Sequence, residues 1–182
     1  NVSAVTLGGS NLARHIENVQ SFGVPVVVAL NRFITDTDAE IQAVKDLASE
    51  NGVKAIECTH WSDGGNGTTE LAEEVVKLAN SGVASFAPLY PNDMAIWDKI
   101  KTVATRLYRA DDIIADKKIR AQIRKIEDDG YAHFPICIAK TQYSFSTDPN
   151  LKGAPNNHVM AIREVRLSAG AGFIVVVCGD IM

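Results

Sequence analysis

The sequence predicts an α/β fold, and three observations carry that prediction. Residues 24–30, VPVVVAL, are a continuous apolar run rich in β-branched side chains and too short for most helices. Buried parallel strands have this composition because both of their faces are covered. Thr37 and Glu40 stand at capping-box spacing ahead of Ile41, Val44, Leu47 and Ala48, an apolar helical stripe that stops at Asn51-Gly52. Residues 53–58, VKAIEC, read as a second strand, so strand, helix and strand form a parallel crossover unit. The loops after those two strands, 31–37 and 59–67, lie where open parallel sheets bind ligands.

The remaining elements follow in order. Residues 1–9 (NVSAVTLGG) show no clear element, and 11–22 predict a short helix with Leu12, Ile16 and Val19 inward and Gly23 as its stop. Pro25 falls in the first turn of the first strand, where a missing ladder donor is tolerated. Residues 68–80 predict a helix with Leu71, Val75, Leu78 and Ala79 inward, acidic residues first and Lys77 last, matching its dipole. Pro88 and Pro91 interrupt an irregular stretch and set a boundary, giving residues 1–90 and 91–182 as two units. In the second unit, Asp93 is expected to cap a helix reaching Tyr108, and 117–129 predict another with Ile119, Ile123 and Ile126 on one stripe and Gly130 as terminator. Residues 134–139 read as a strand, 140–157 as a polar loop, and 159–167 as a half-buried strand. A small-residue turn, 168–172, leads into a fully buried strand at 173–178. The second unit is thus a smaller α/β unit. There is no internal repeat.

Composition narrows the function classes. The 182 residues are 46% hydrophobic and 22% charged, with a formal net charge of -4 and pI near 5.5. That is an ordinary globular composition, and it lacks the basic balance of a nucleic-acid binder. No apolar run approaches the roughly 20 residues of a spanning helix, and no secretory leader is visible. These features point away from nucleic-acid and membrane partners and toward a cytoplasmic location. Cys58, Cys137 and Cys178 are odd in number and lie in strand-like runs, so they read as buried thiols, with no disulfide framework and no metal-ligand spacing. Both ends read as cut, because the chain lacks an initiator Met and stops just after a strong strand.

Each candidate functional residue has a plain reading beside the functional one. Phe33 and Trp61 sit on neighbouring loops, and two flat side chains there fit a slot for a heteroaromatic ring or simple packing onto the unit beneath. Asn31-Arg32-Phe33-Ile34 is placed like the guanine-reading Asn-Lys-x-Asp of GTPases. However, Ile34 cannot accept a hydrogen bond, and no phosphate loop occurs in this sequence. Gly64-Gly65-Asn66-Gly67 ahead of a helix presents amides to an anion or is a turn. Lys140 through Ser144, including Gln142 and Tyr143, follows a strand end and suits an acidic ligand or solvent. His60 is the one histidine on a candidate loop; His15, His133 and His158 complete no metal set. Asp111-Asp112 and Glu127-Asp128-Asp129 read as solvated helix ends. No catalytic triad or dyad is present, and no catalytic residue is assigned.

Several long segments, in order, give the chain its family likeness. They are FGVPVVVALNRFITDT, ECTHWSDGGNG, HFPICIAKTQYSFS and SAGAGFIVVVCGDIM. The chain resembles the C-terminal third of formate–tetrahydrofolate ligase (10-formyltetrahydrofolate synthetase), end to end. The resemblance implies parallel βαβ layers related to P-loop-type folds. It also implies an enzyme that makes 10-formyltetrahydrofolate from formate, tetrahydrofolate and MgATP through formyl phosphate. A monovalent cation and a homo-oligomer, tetramer or dimer, belong to the same expectation. The family's pterin-holding aromatic pair falls by motif on Phe33 and Trp61, with Ile34 lining the slot. Asn31, His60, Gly64, Gly65, Lys140 and Gln142 are expected as further loop contacts.

The family's phosphate-binding glycine-rich loop has no match in this chain, and neither does the Met-Pro-Gly-Leu-Pro segment expected after Met182. Arg109 stands where the family usually has Gly, and Thr147 where Asp is common. The expectation is therefore a ligase piece that carries part of the folate site and is inactive alone. The rivals are a non-catalytic folate-binding or assembly module and a GTPase-like nucleotide binder.

Overall fold

A computed structural model describes residues 1–142 and 144–179. Tyr143 of the candidate loop, and the Asp180-Ile181-Met182 end of the last family-like segment, lie outside the described residues. The chain divides into two compact units, Asn1–Ala87 and Pro88–Met182. The architecture is mixed α/β.

In the first unit, helix α1 covers Val2–Gln20, so the expectation that residues 1–9 hold no element is corrected. Two causes outweigh the poor helix propensity of Gly8-Gly9. Asn1 caps the helix, its side chain accepting from the Ala4 amide at 3.3 Å. Gly9 is buried against helix α2 (Asp38–Glu50), where a Cβ would stand 2.7 Å from Leu47 Cδ2. Gly9 marks the close approach of two helices.

Strand β1 (Val27–Asn31) and strand β2 (Lys54–Cys58) pair in parallel, from Val27 opposite Lys54 to Asn31 opposite Cys58. Only the inner face of β2, Ile56 and Cys58, is fully buried, and β1 is half-buried with Ala29 exposed. Between the strands, Thr37 caps α2 with the full reciprocal box: its backbone amide donates to Glu40 Oε2 at 2.8 Å and its hydroxyl accepts from the Glu40 amide. Thr37→Ala is expected to destabilise this unit by about 1 kcal/mol, read as a lowered urea midpoint with an unchanged slope.

A short helix α3 (His60–Asp63) and a 3-10 turn (Gly64–Thr68) lead into helix α4 (Thr69–Asn80). The expected inward face of α4 is corrected in part: Val75 and Ala79 are exposed, and Glu74 is tucked in instead. Lys54 on β2 turns that face toward itself by reaching Glu70 at 2.8 Å and Glu74 at 3.7 Å.

The second unit is a four-stranded sheet in the order β3-β5-β6-β4. Its strands are β3 (Asp112–Ile114), β4 (Ile136–Ala139), β5 (Val159–Ser168) and β6 (Phe173–Cys178). β3 lies parallel to β5 and β4 parallel to β6, while β5 and β6 are antiparallel. Four residues join β5 to β6, too few for a crossover, so a hairpin is the only connection available. Gly172 closes it at φ 73°.

Helices α5 (Ile96–Arg106) and α6 (Lys117–Ile126) share one core with the sheet. Ile96, Ile100, Ala104, Ile119, Ile123 and Ile126 meet Met160, Ile162, Val165, Ile174, Val176 and Cys178 there. At roughly 1.5–3 kcal/mol for each large apolar side chain buried, this cluster is the main stabilising element of the unit.

Several expectations for this unit are corrected. β6 alternates instead of being wholly buried, with Phe173, Val175 and Val177 half-covered, because the helices pack on one face. Cys137 is exposed, while Cys58 and Cys178 are buried. Asp93 does not cap α5. Ala95 takes that place, and Glu127 accepts from the Ile96 amide at 2.7 Å. Asp112 begins a strand and pairs with Lys101 at 3.0 Å. The two acidic clusters therefore each contribute a working partner.

Candidate functional site

Parallel pairing of β1 and β2 brings the ends of both strands to one side of the first unit. The chain leaves β1 with the Arg32 amide still bonded to the Cys58 carbonyl at 3.0 Å. It then turns tightly: the Phe33 amide donates to Asp36 Oδ2 at 2.8 Å, and the Asp36 amide to the Phe33 carbonyl at 3.1 Å. This aspartate-closed turn pushes Phe33 and Ile34 outward.

The other loop is tied at its base, where the Thr59 amide donates to the Gly67 carbonyl at 3.0 Å. A Cβ on Gly67 would stand 2.5 Å from the Thr59 carbonyl carbon and 2.6 Å from the His60 nitrogen. Only glycine fits that crossing. The loop is thereby folded back so that α3 presents Trp61.

Between the two loops lies a cleft of about 250 Å³ lined by Arg32, Phe33, Ile34, Glu57, Thr59, Trp61 and Ser62. Its rim is apolar and open: Phe33 is 54% exposed, Trp61 66% and Ile34 84%. Its base is charged and more enclosed, with the side chains of Arg32 and Glu57 34% and 24% exposed. Arg32 Nη1 donates to Glu57 Oε1 and Nη2 to Asp38 Oδ1, each at 2.7 Å, and Lys45 approaches Glu57 Oε2 at 3.5 Å. The hydrogen bond from Arg32 holds the Glu57 carboxyl below its ordinary range, and the two carboxylates hold the guanidinium above its own.

Because Glu57 is depressed in the fold, the stability it lends is present above the ordinary Glu range near 4.3 and is lost as pH falls through its folded value. Glu57→Gln is expected to flatten that acid limb of the thermal midpoint against pH, with the wild-type curve as the comparison.

Phe33, Ile34 and Trp61 thus line one cleft. Asn31 ends β1 and is exposed, His60 opens α3 and is exposed, and Gly64 and Gly65 lie on the exposed 3-10 turn outside the lining. Lys140 and Gln142 belong to the second unit, where Lys140 Nζ donates to the carbonyls of Thr141, at 3.0 Å, and Ser144, 5.1 Å above the Tyr108 ring. Those two bonds build the amine into its own loop, and the burial lowers its pKa.

The residues that pattern reasoning missed are Arg32, Glu57, Thr59 and Ser62. One signal was available for them, a glutamate set into the apolar strand AIEC. Among the described residues, no group of three or more His, Cys, Asp and Glu side chains is placed to hold a metal, and no helix is long and apolar enough to cross a membrane.

The fold is α/β, with an open cleft rimmed by Phe33, Ile34 and Trp61 at the carboxyl ends of two parallel strands. A family model described as formate–tetrahydrofolate ligase matches residues 1–182. The chain is 61% identical over all 182 residues to the formate–tetrahydrofolate ligase of Ruegeria pomeroyi and 62% identical to that of Ruegeria sp. (strain TM1040). It is 56% identical, again over its whole length, to that of Granulibacter bethesdensis. It covers 33%, 33% and 32% of those proteins, so it spans about a third of the length of the curated relatives it matches. The chain belongs to the formate–tetrahydrofolate ligase family.

Proposed function

We propose that this chain supplies the pterin-holding part of the folate site in an ATP-dependent ligase that forms 10-formyltetrahydrofolate from formate and tetrahydrofolate. Family membership supports the reaction. The one observation that carries the site is the convergence of Phe33, Ile34 and Trp61 on a single cleft. A reduced pteridine has two apolar faces and a polar edge, and the cleft has two aromatic rims and a charged base.

In this reading, phosphorylation of formate by MgATP creates the leaving group, and these residues hold the acceptor folate still while N10 takes the formyl group. Catalysis of this kind is chiefly positioning and charge neutralisation. ATP, its magnesium, formyl phosphate and any monovalent cation are assigned to residues beyond this chain. The working enzyme is a cytoplasmic homo-oligomer, and the 182 residues alone do not turn over.

The test is a graft. The chain replaces the matching third of the Ruegeria pomeroyi relative, to which it is 61% identical. The chimera is expected to consume ATP only with formate and tetrahydrofolate both present. Trp61→Ala in that chimera is expected to raise KM for tetrahydrofolate at least 10-fold, with KM for ATP unchanged. A folded chimera without ligase activity, or a mutant in which the ATP constant moves instead, contradicts the proposal.

A further inference from the structure

We infer that Glu57 is a specificity-determining residue: its carboxylate reads the N–H-bearing edge of the aminopyrimidinone ring of a reduced pteridine seated in the cleft. The inference rests on the folate reading above and goes beyond it, from the rings that clamp the ligand's faces to the group that recognises its edge.

Three observations converge on Glu57. Exposure falls from the rim of the cleft to its base, so a flat ring that enters between Phe33 and Trp61 meets the base with its edge. At that base the charge of Arg32 is shared by two carboxylates, Glu57 in the lining and Asp38 on the exposed surface outside it, each at 2.7 Å. An anionic edge therefore finds no uncompensated cation there. What remains is acceptor capacity. A carboxylate offers about four lone-pair sites, and on Glu57 one is taken by Arg32 and one more weakly by Lys45 at 3.5 Å.

The ligand that fits must present adjacent donors along one edge. The N3–H and 2-amino group of a 2-amino-4-oxopteridine do so, spaced for the two oxygens of one carboxylate. Arg32 is a positioning residue in this scheme, because it orients Glu57 and keeps it ionised.

The same donor pair occurs on guanine, and the experiment separates the two sources. The intact 182-residue chain and its Glu57→Gln variant are titrated by calorimetry with tetrahydrofolate, with guanosine, and with a reduced 2,4-dioxopteridine analogue. The analogue replaces the amino donor by a carbonyl. Thermal unfolding of both proteins checks that the isosteric variant is folded.

Wild-type chain is expected to bind tetrahydrofolate about 10- to 100-fold more tightly than the dioxo analogue. The variant is expected to lose most of that discrimination, because an amide can donate to the carbonyl. A purely structural role for Glu57 would weaken both ligands together and leave their ratio unchanged, and that result overturns the inference while the folate reading stands. Saturable guanosine binding without tetrahydrofolate binding, or no binding of any of the three, overturns both.

Discussion

Lys99→Ala is expected to cost the Pro88–Met182 unit about 2–5 kcal/mol. Lys99 lies on the inward side of α5 and is 0% exposed. Its ammonium donates to three main-chain carbonyls, Asn92 at 2.7 Å, Ala132 at 2.6 Å and Phe134 at 3.1 Å, and sits 5.8 Å from the Tyr90 ring. One side chain thus ties the stretch before α5 to the turn after α6 and to the start of β4. Burial lowers its pKa, and Asp93 and Glu127 pull in the opposite direction.

Truncation leaves three carbonyls without their donor and a cavity where a four-carbon stem packed, and each of these penalises the fold. Trp97 on α5 reports this unit, so urea unfolding followed by its fluorescence in a Trp61→Phe background isolates the effect. The midpoint is expected to drop sharply, and an unmoved midpoint would show that the carbonyls find other donors.

Gly67→Ala is expected to have the largest effect on the cleft itself. Its new Cβ would sit within 2.6 Å of main-chain atoms of Thr59 and His60. Backbone cannot rotate away as a side-chain tip can, so the bond between the Thr59 amide and the Gly67 carbonyl breaks and the turn carrying Trp61 swings off β2. A loss of a few kcal/mol in local stability is expected, together with loss of saturable folate binding. Unfolding of the Pro88–Met182 unit is expected to stay as in wild type. Wild-type affinity in Gly67→Ala would mean that Trp61 is not held by this crossing.

Local patterns were legible in the sequence, and tertiary pairings were not. The Thr37–Glu40 box is local, three residues apart, and its sequence spacing is enough to place the start of α2. The runs at β1, β2 and β6 mark strands by their composition, while how far each strand is buried depends on which face the helices cover.

Arg32 and Glu57 stand 25 residues apart, and their pairing depends on the parallel register of β1 and β2, which no local window contains. Lys99 falls between Ile96 and Ile100 on the stripe, yet a lysine there reads as an interruption until three carbonyls from elsewhere surround it. Residues 1–9 show no clear element for the same reason: the packing of Gly9 on Leu47 is a tertiary fact that overrides propensity. β3, at three residues, carries too short a pattern to separate from its neighbours. Phe33 and Trp61 could be singled out because each follows a strand end. The charged base beneath them emerged only with the fold.

In the proposed function Phe33 and Trp61 hold the pterin ring, and quenching of Trp61 fluorescence by tetrahydrofolate is the measurement that decides it. The titration is run on this chain and on Trp61→Ala, with the remaining Trp97 correcting for absorption by the folate. Saturable quenching in wild type that disappears in the mutant is the predicted result, since stacking of an aromatic ring against a heterocycle contributes about 1–3 kcal/mol. Quenching that persists unchanged in Trp61→Ala, or none in a folded wild-type sample, would contradict the account.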